Sequence, residues 1–413
     1  MTAYGTFDPS TKDKTRPSFA DWMSQTNEIT RTFLAAGKVP GLINLAGGLP
    51  APQIYPADEI AQIARQVIKD NPIDTLGYGS IEGLADLRDA LAKRFSTSGV
   101  RLTADNVLVT TSGMQGLDLL GKVLLDQGDL VAGQFPTYLG ALDAWRPRGP
   151  QFRNMDIHGA AFDPDAALSG AKFAYTVPNF SNPTGKLVGE AIRQKLVDGA
   201  HRTGVWLVED DPYGGLCFEG TPPPRMLELS ARMGNSEVYD GPVIYMGTVS
   251  KELAPGLRVG WIIAAPEMIG ALTLAKQGSD ISTSGITQRI VLGALNAGLI
   301  ERLQPQLCNL YRARRDALCA AMAEHLSEWF EWEVPEGGMF VWAKARAQTM
   351  DTDALLQPAM AGGVCIAPSS VFDATGVHCG AMRMNFTLND PDTLTEGVRR
   401  LATVLKTIDR KGP

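Results

Sequence analysis

The chain has 413 residues, enough for two domains or for one large domain with an appendage. Hydrophobic residues make up 44% and charged residues 20%, ordinary values for a soluble globular protein with a sizeable core. A net charge of −7 with no basic block argues against nucleic acid or an anionic membrane as partner.

The five cysteines are scattered and none form C-x-x-C, so neither a disulfide framework nor a zinc site is signalled, and no metal is expected. The four histidines are isolated. Residues 1–18 are polar and lack the apolar core of a signal peptide, and they read as a disordered segment or arm. The longest apolar candidate for a membrane span, Val259 to Ala275, is interrupted by Pro266 and Glu267. Cytoplasm is the expected location.

A helical segment is predicted from Phe19 to Ala36 and carries Arg31. The loop GLINLAGGLPAPQIYP (41–56) follows, and its Gly47-Gly48 pair fits both a simple turn and a close backbone approach to a ligand. A helix is predicted from Pro56 to Lys69. After LGYGSIEG (76–83), where Ser80 and Gly83 fit a helix start, a second runs to Phe95 with Leu84, Leu87, Leu91 and Phe95 on one face.

From Val107 onward short apolar runs alternate with helices. The runs are VLVT (107–110), LVAG (130–133), FRNMDI (152–157), FAYTV (173–177), VWLVED (205–210), VIYMG (243–247) and VGWIIAA (259–265). Apolar on both faces, they read as buried, mainly parallel strands of an α/β domain, with ligands expected at their carboxyl ends. Beyond Thr287 the chain is helical to His325. A hairpin-like FEWEVPEGGMFVWAK, the strands VCIAPSS and AMRMNF and a closing helix then predict a smaller α+β domain. The expected division is 1–50 for an N-terminal arm and helix joined to the small domain, 51–300 for the large domain and 301–413 for the rest of the small one. GLDLLGK (116–122) has P-loop spacing, but Val123 stands where Ser or Thr is needed and the leucine-rich spacer reads as helix.

Four strand ends carry polar groups. In TTSGMQG (110–116), Ser112, Gly113 and the Met114 N–H fit an anion site at a helix N-terminus, and equally an ordinary N-cap. In PNFSNPTG (178–185), Asn182 is a turn residue or a donor into a site. VEDDPYGG (208–215) ends a buried strand on two acids, which is costly unless they have partners; Asp210 and Tyr213 could face one ligand. In VIYMGTVSKELAPGLRVGW (243–261), Lys251 lies among Thr248, Ser250 and Arg258. Free lysine is a poor nucleophile, with about one in 2,500 neutral at pH 7. To form an imine it must be desolvated or held near a cation.

Together, and in this order, the phrases LAGGLPAPQIYP, YGSIEGLADLR, NPTG, VEDDPYGGL, SKELAPGLRVGW, PEGGMFVW and RMNF resemble the fold-type I aminotransferases of class I/II. These enzymes depend on pyridoxal 5′-phosphate (PLP). The likeness is greatest to the branch of α-aminoadipate and kynurenine aminotransferases and the aminotransferase-like domain of MocR-type regulators, and covers nearly the whole chain. It implies a large domain with a mainly parallel seven-stranded sheet between helices, plus a smaller α+β domain. It implies a homodimer with shared active sites, acting on an amino acid and a 2-oxo acid by ping-pong transamination. Lys251 matches the Schiff-base lysine and proton shuttle, Asp210 the partner of the pyridine nitrogen, and Tyr213 and Asn182 the donors to the ring's 3-hydroxyl oxygen. Tyr138 matches the aromatic residue stacked on the ring.

Ser112, Gly113, Met114, Thr248, Ser250 and Arg258 match the phosphate cup. Met114 departs from the hydroxyl or amide side chain common in relatives, and Thr248 from the usual serine. Tyr78 matches a tyrosine that reaches the neighbouring subunit's phosphate. Arg383 matches the arginine that grips the substrate α-carboxylate, a pairing of roughly 1.5–3 kcal/mol. Gly48 resembles a backbone position that closes over substrate. Arg31 falls where aminoadipate-type relatives place a side-chain-carboxylate binder on a mobile helix, and equally suits a solvated helix surface. The same scaffold also serves β-lyases, decarboxylases and cyclases. A regulator's effector domain would follow a winged-helix domain, for which the residues before the core are too few.

Overall fold

The seven apolar runs come together as one sheet in the computed structural model, which describes residues 17, 19–25, 29–97, 99–234, 236–377 and 380–411. Short strand β1 (Ile43–Asn44) comes first in the chain. The sheet consists of β2 (Val107–Thr110), β3 (Leu130–Gly133), β4 (Gln151–Asn154), β5 (Ala171–Thr176), β6 (Trp206–Asp210), β7 (Val243–Thr248) and β8 (Gly260–Ile263), in the spatial order β2-β8-β7-β6-β5-β3-β4. Pairings within β4-β3-β5-β6-β7 are parallel, and β8 runs antiparallel to both β7 and β2. Val107, Leu108, Val109, Val208, Ile244 and Ile262 are wholly buried, as strands covered by helices on both faces should be.

One strand departs from expectation. β4 stops at Asn154 and is half-exposed, because it lies at the sheet edge and its QFRN sequence has little apolar surface to bury. Asp156, expected in the strand, instead turns with φ 46°.

The helix expected to begin near Ser80 begins at Ala85. Ser80 Oγ donates to the carbonyl of Gly83 at 2.6 Å, and Gly83 has φ 108°, so this stretch closes a turn before the helix. Leu87, Leu91 and Phe95 are buried as their spacing requires. The GLDLLGK stretch lies inside the helix Ser112–Leu124, which has no open loop for a nucleotide phosphate. The segment predicted as one helix from Phe19 contains a 3₁₀ turn, Asp21–Gln25, and an α-helix, Ile29–Ala36, with residues 26–28 outside the described set. The arm at 1–18 also falls outside it, except Pro17.

The C-terminal part builds a second, antiparallel sheet. Its strands are β9 (Phe330–Glu331), β10 (Phe340–Ala345), β12 (Ala367–Pro368) and β13 (Ala381–Asn385), in the order β12-β13-β10-β9. Strand β11 (Val364–Cys365) pairs in parallel with β1, so the segment before the large sheet is tied to the C-terminal part. The helices Leu299–His325 and Pro391–Lys411 pack together beside this sheet. No helix among the described residues is long and apolar enough to cross a membrane.

Gly185 ends the NPTG phrase with φ 69°, and a Cβ there would lie 2.7 Å from the backbone oxygen of Phe340. Gly185→Ala therefore meets both a left-handed backbone and a backbone clash, a cost of about 1–3 kcal/mol. It should lower the melting temperature by several degrees. Gly270→Ala, exposed inside the helix Pro266–Gln277 and with open space around the Cβ, should leave it unchanged or slightly raised. Thermal unfolding of the two variants side by side checks this.

Candidate active site

The carboxyl ends of the parallel strands open onto a cavity of about 420 Å³. It is lined by Gly48, Ser112, Gly113, Met114, Tyr138, Asn182, Asp210, Tyr213, Thr248, Ser250, Lys251, Arg258 and Arg383. Thus all but two of the residues singled out in the sequence share one space. The exceptions are Tyr78, 91% exposed, and Arg31, on the exposed side of its helix. Phe33 of that helix does line the cavity. Residues two apart on a helix point to nearly opposite sides, so Phe33 inward sets Arg31 outward.

One end of the cavity is a cup of donors. β2 leads into the helix Ser112–Leu124, whose first turn presents unsatisfied N–H groups. Ser112 (φ 69°) and Arg258 (φ 53°) are both left-handed, and a guanidinium nitrogen of Arg258 donates to Ser112 Oγ at 2.5 Å. Non-glycine residues in this region cost about 1–3 kcal/mol each and concentrate at ligand sites. Thr248 Oγ1 lies 2.9 Å from Ser250 Oγ on the facing turn. Gly260 permits the approach: a Cβ there would sit 2.8 Å from the Ser112 carbonyl carbon and 2.9 Å from the Gly113 nitrogen. Hydroxyls, backbone N–H groups and a guanidinium in one cup suit a phosphate dianion.

At the middle of the cavity the Nζ of Lys251 donates to the Gly48 carbonyl at 2.9 Å. Burial, with Arg383 and Arg258 nearby, draws its pKa down to about 8. The neutral, nucleophilic form is therefore far more populated at neutral pH than in free lysine. Asp210 ends β6 only 8% exposed. Burial pushes its carboxyl up to about 7, against the opposing hydrogen bond from Tyr175, whose hydroxyl donates to Oδ2 at 2.6 Å. Tyr213 is buried and hydrogen-bonded to Asn182.

Asn182 Oδ1 also accepts from Arg383 at 2.6 Å. The Arg383 guanidinium lies between the rings of Phe340 and Phe372, at 4.2 and 4.7 Å from their centroids, and donates to the Ala46 carbonyl. Its Nε is buried with no hydrogen-bond partner among the described residues. An orphaned charged donor on a cavity wall fits an incoming carboxylate.

Met114 plays a part that its type did not announce. Its Sδ accepts a hydrogen bond from the Tyr138 hydroxyl at 3.3 Å, across the cup. Several supporting residues were missed from the sequence. Phe340 is the sixth letter of PEGGMFVW, and its place in that phrase was the available signal. Tyr175 was hidden in an apolar strand. Arg193, wholly buried, bonds the carbonyls of Val188 and Pro178 and the Asn179 side chain, clamping the loop that carries Asn182. It sits on the helix Glu190–Thr203, and an arginine on a helix is ordinarily solvated.

A cup of donors suited to phosphate, a shielded lysine, a carboxylate and a buried guanidinium with one unpartnered donor share one cavity, and these residues fit the PLP of the fold-type I enzymes. Residues 42–401 match the family model "Aminotransferase class I and II". The chain is 34% identical over 387 residues to aromatic-amino-acid aminotransferase 1 of Thermococcus litoralis, covering 91% of each chain. It is 36% identical over 381 residues to 2-aminoadipate transaminase of Thermus thermophilus, covering 91% of this chain and 93% of that one. Among solved structures, α-aminoadipate aminotransferase of Thermus thermophilus, complexed with N-(5′-phosphopyridoxyl)-L-leucine, superposes with a TM-score of 0.85 at 34% identity, covering 94% and 97% of the two chains. The chain belongs to the class I and II aminotransferases. It is a PLP-dependent transaminase acting between amino acids and 2-oxo acids.

The two shifted groups make the cofactor-free protein pH-sensitive. Asp210, with its folded pKa above the unfolded value, holds a proton between about pH 4 and 7 that the unfolded chain has lost. Its contribution therefore lowers stability as pH rises through that window, and the full cost stands above pH 7. Lys251, with its folded pKa below the unfolded value, carries its full cost below about pH 8 and is relieved as pH rises towards 10.5. Asp210→Asn should accordingly raise the melting temperature of the cofactor-free protein at pH 8, while weakening PLP binding at least roughly tenfold. Thermal scans with and without PLP read both effects.

Proposed function

We propose that Lys251, Asp210, Asn182, Tyr213 and Arg383 carry transamination in this chain by a ping-pong cycle. The observation that carries the reading is the convergence of these side chains on one cavity. PLP, when bound, supplies an electron sink that makes the substrate's α-proton removable. Ser112, Gly113, Met114, Thr248, Ser250 and Arg258 would hold its phosphate, and Tyr138 would pack on its ring. Asp210 would hold the proton on the ring nitrogen. Asn182 and Tyr213 would donate to the ring's 3-hydroxyl oxygen. Arg383 orients the amino acid by its α-carboxylate, and the Gly48 backbone closes over it. Lys251 Nζ takes the proton from the substrate's α-carbon and is the group placed to return it.

The first test mixes the purified protein with PLP and a panel of amino acids. The visible cofactor band should fall and pyridoxamine phosphate should appear, and a second 2-oxo acid should reverse both. Steady-state plots should be parallel. Lys251→Ala should lower kcat by roughly 10⁴-fold or more, the scale of losing an acid–base group that is also the nucleophile. A band that persists unchanged in that variant, or an absence of pyridoxamine phosphate with every amino acid, would overturn the reading.

For the donor, relatives named for aromatic and for aminoadipate substrates suggest a site serving more than one side-chain class. Phe33, Leu49 and Leu139 give an apolar wall that suits an aromatic or aliphatic side chain. Arg31 would meet a side-chain carboxylate only after the helix Ile29–Ala36 turns. Arg31→Ala should then raise KM for acidic donors several-fold and leave aromatic donors unchanged, as a lost charge-assisted bond requires. Equal losses for both classes would remove Arg31 from the site.

The proposed assembly is a homodimer with shared sites. Ile73, Leu76 and Tyr78 are 84, 67 and 91% exposed on one short stretch, an apolar surface suited to a second copy. Tyr78 would reach the partner's phosphate cup. Co-producing Tyr78→Ala and Lys251→Ala chains should restore about a quarter of full activity, since half of randomly paired dimers contain one intact site. No recovery would place Tyr78 outside the partner's site. The division into 1–50, 51–300 and 301–413 is proposed on the pairing of β1 with β11. A cytoplasmic location is proposed on the free thiols of Cys217, Cys308, Cys319 and Cys365.

A further inference from the structure

We propose that Tyr175 is a positioning residue for the reaction: by donating its hydroxyl to Asp210 Oδ2, it fixes that carboxylate and keeps it ionised toward the cofactor. The inference rests on the reading that Asp210 partners the ring nitrogen.

Four titratable groups lie around Asp210, and two of them, Tyr175 and Asp211, act on its charge. Asp211 disfavours a second negative charge beside it, and Tyr138 and Tyr213 are phenols that burial keeps protonated. Tyr175 makes the hydrogen bond, at 2.6 Å between side chains that are 0% and 8% exposed. Its phenol stays protonated well beyond neutral pH, first because it is buried and next because Asp210 stands beside it. It is therefore a donor throughout the working range, and a donor to a carboxylate favours the charged form.

The geometry is rigidly supported. Tyr175 pairs with Val208 in the β5–β6 register, two residues before Asp210. Its ring stands edge-on against Trp145 with centroids 5.1 Å apart, and the Trp145 indole N–H is itself engaged by the Leu117 carbonyl at 2.9 Å. Neither ring can swing away without breaking a packed contact. With Oδ2 occupied from the sheet side, Oδ1 has no hydrogen bond from a described side chain and is the oxygen left for a ligand. Without the phenol, the carboxylate would be a buried charge beside Asp211 and would take up a proton. A neutral acid cannot hold a proton on the ring nitrogen as a counter-charge does.

The test reads the ring nitrogen directly. Wild-type, Tyr175→Phe and Asp210→Asn enzymes are reconstituted with ¹⁵N-labelled PLP, and the nitrogen chemical shift is followed from pH 6 to 9. The wild-type nitrogen should stay protonated, and Asp210→Asn should lose that proton. In Tyr175→Phe its midpoint should fall by at least about one pH unit, with kcat down about tenfold or more and KM little changed. In an Asp210→Asn background Tyr175→Phe should add nothing, because the carboxylate it serves is gone. That double variant also gives the comparison if Tyr175→Phe alone fails to fold. A wild-type shift profile in Tyr175→Phe, or an undiminished further loss in the double variant, overturns the inference while leaving Asp210 in place. An unchanged nitrogen in Asp210→Asn removes the Asp210 reading itself, and the role of Tyr175 with it.

Discussion

A guanidinium almost sealed from water holds this site together. Arg383 rises from β13 in the small sheet, yet its hydrogen bonds go to Asn182, beyond the end of β5, and to the Ala46 carbonyl. Three segments far apart in sequence therefore meet at one charge. Leaving a buried cation without partners costs several kcal/mol, so none of the three segments can drift without a large penalty. Two phenylalanine faces complete the enclosure, and they come from β10 and from the turn after β12. The charge that would bind substrate is thus also the joint between the two sheets. Arg383 is drawn down to about 10 by burial yet remains a cation at neutral pH.

The same tension runs through the cavity. Asp210 and Lys251 are both shifted toward their neutral forms, and burial is the first cause in each. A fold selected only for stability would fill these positions with apolar side chains. A ligand with a ring cation and a phosphate dianion would answer these charges. Its binding would return, as stability of the loaded protein, part of what the bare site costs. The outer ring of support is shifted the same way, Glu209 up to about 7 and Arg193 downward with burial the first cause in each, but its partners come from the protein. Glu209, wholly buried, accepts from the Met226 and Leu227 N–H groups at 2.9 and 3.0 Å, and Arg193 lies 3.9 Å away. Those groups are hydrogen-bonded by the protein itself, and they hold the strand end and the Asn182 loop whether or not a ligand is present.

What could be read from the sequence follows from this division. Strands buried on both faces leave unbroken apolar runs, and all seven runs proved to be strands of one sheet. β4 was misjudged because an edge strand need not be apolar, and its polar QFRN carried no period to mark where it stops. Groups that touch a ligand sit at strand ends, where a charge interrupts an apolar run, so Asp210 and Lys251 stood out. Tyr175 and Arg193 did not. A tyrosine in a β-strand is ordinary, and an arginine on a helix is ordinarily solvated. Their work is visible only once β5 lies beside β6 and the helix Glu190–Thr203 lies against the loop before it. Arg31 and Phe33 show the same limit, since which of two neighbours faces the cavity depends on the rotation of a short helix.

The antiparallel strand in an otherwise parallel sheet has a chemical consequence. Parallel neighbours need a crossover of a dozen or more residues, usually a helix, which would carry the chain to the far end of the sheet before returning. The connection from Thr248 to Gly260 is too short for that, so β8 turns straight back and pairs Thr248 with Gly260. Everything in the connection stays at the carboxyl end of β7. Ser250, Lys251 and Arg258 are therefore held at one rim of the cavity, and Arg258 is carried back to Ser112 at the end of β2. The antiparallel pairing of β8 with β2 then places the helix start that holds Ser112 against the same rim. A parallel β8 would separate the lysine from the arginine by the length of the sheet. The short reversal is what allows a single stretch of chain to bring both the guanidinium of Arg258 and the amine of Lys251, the proposed phosphate counter-charge and nucleophile, to one rim of the cavity.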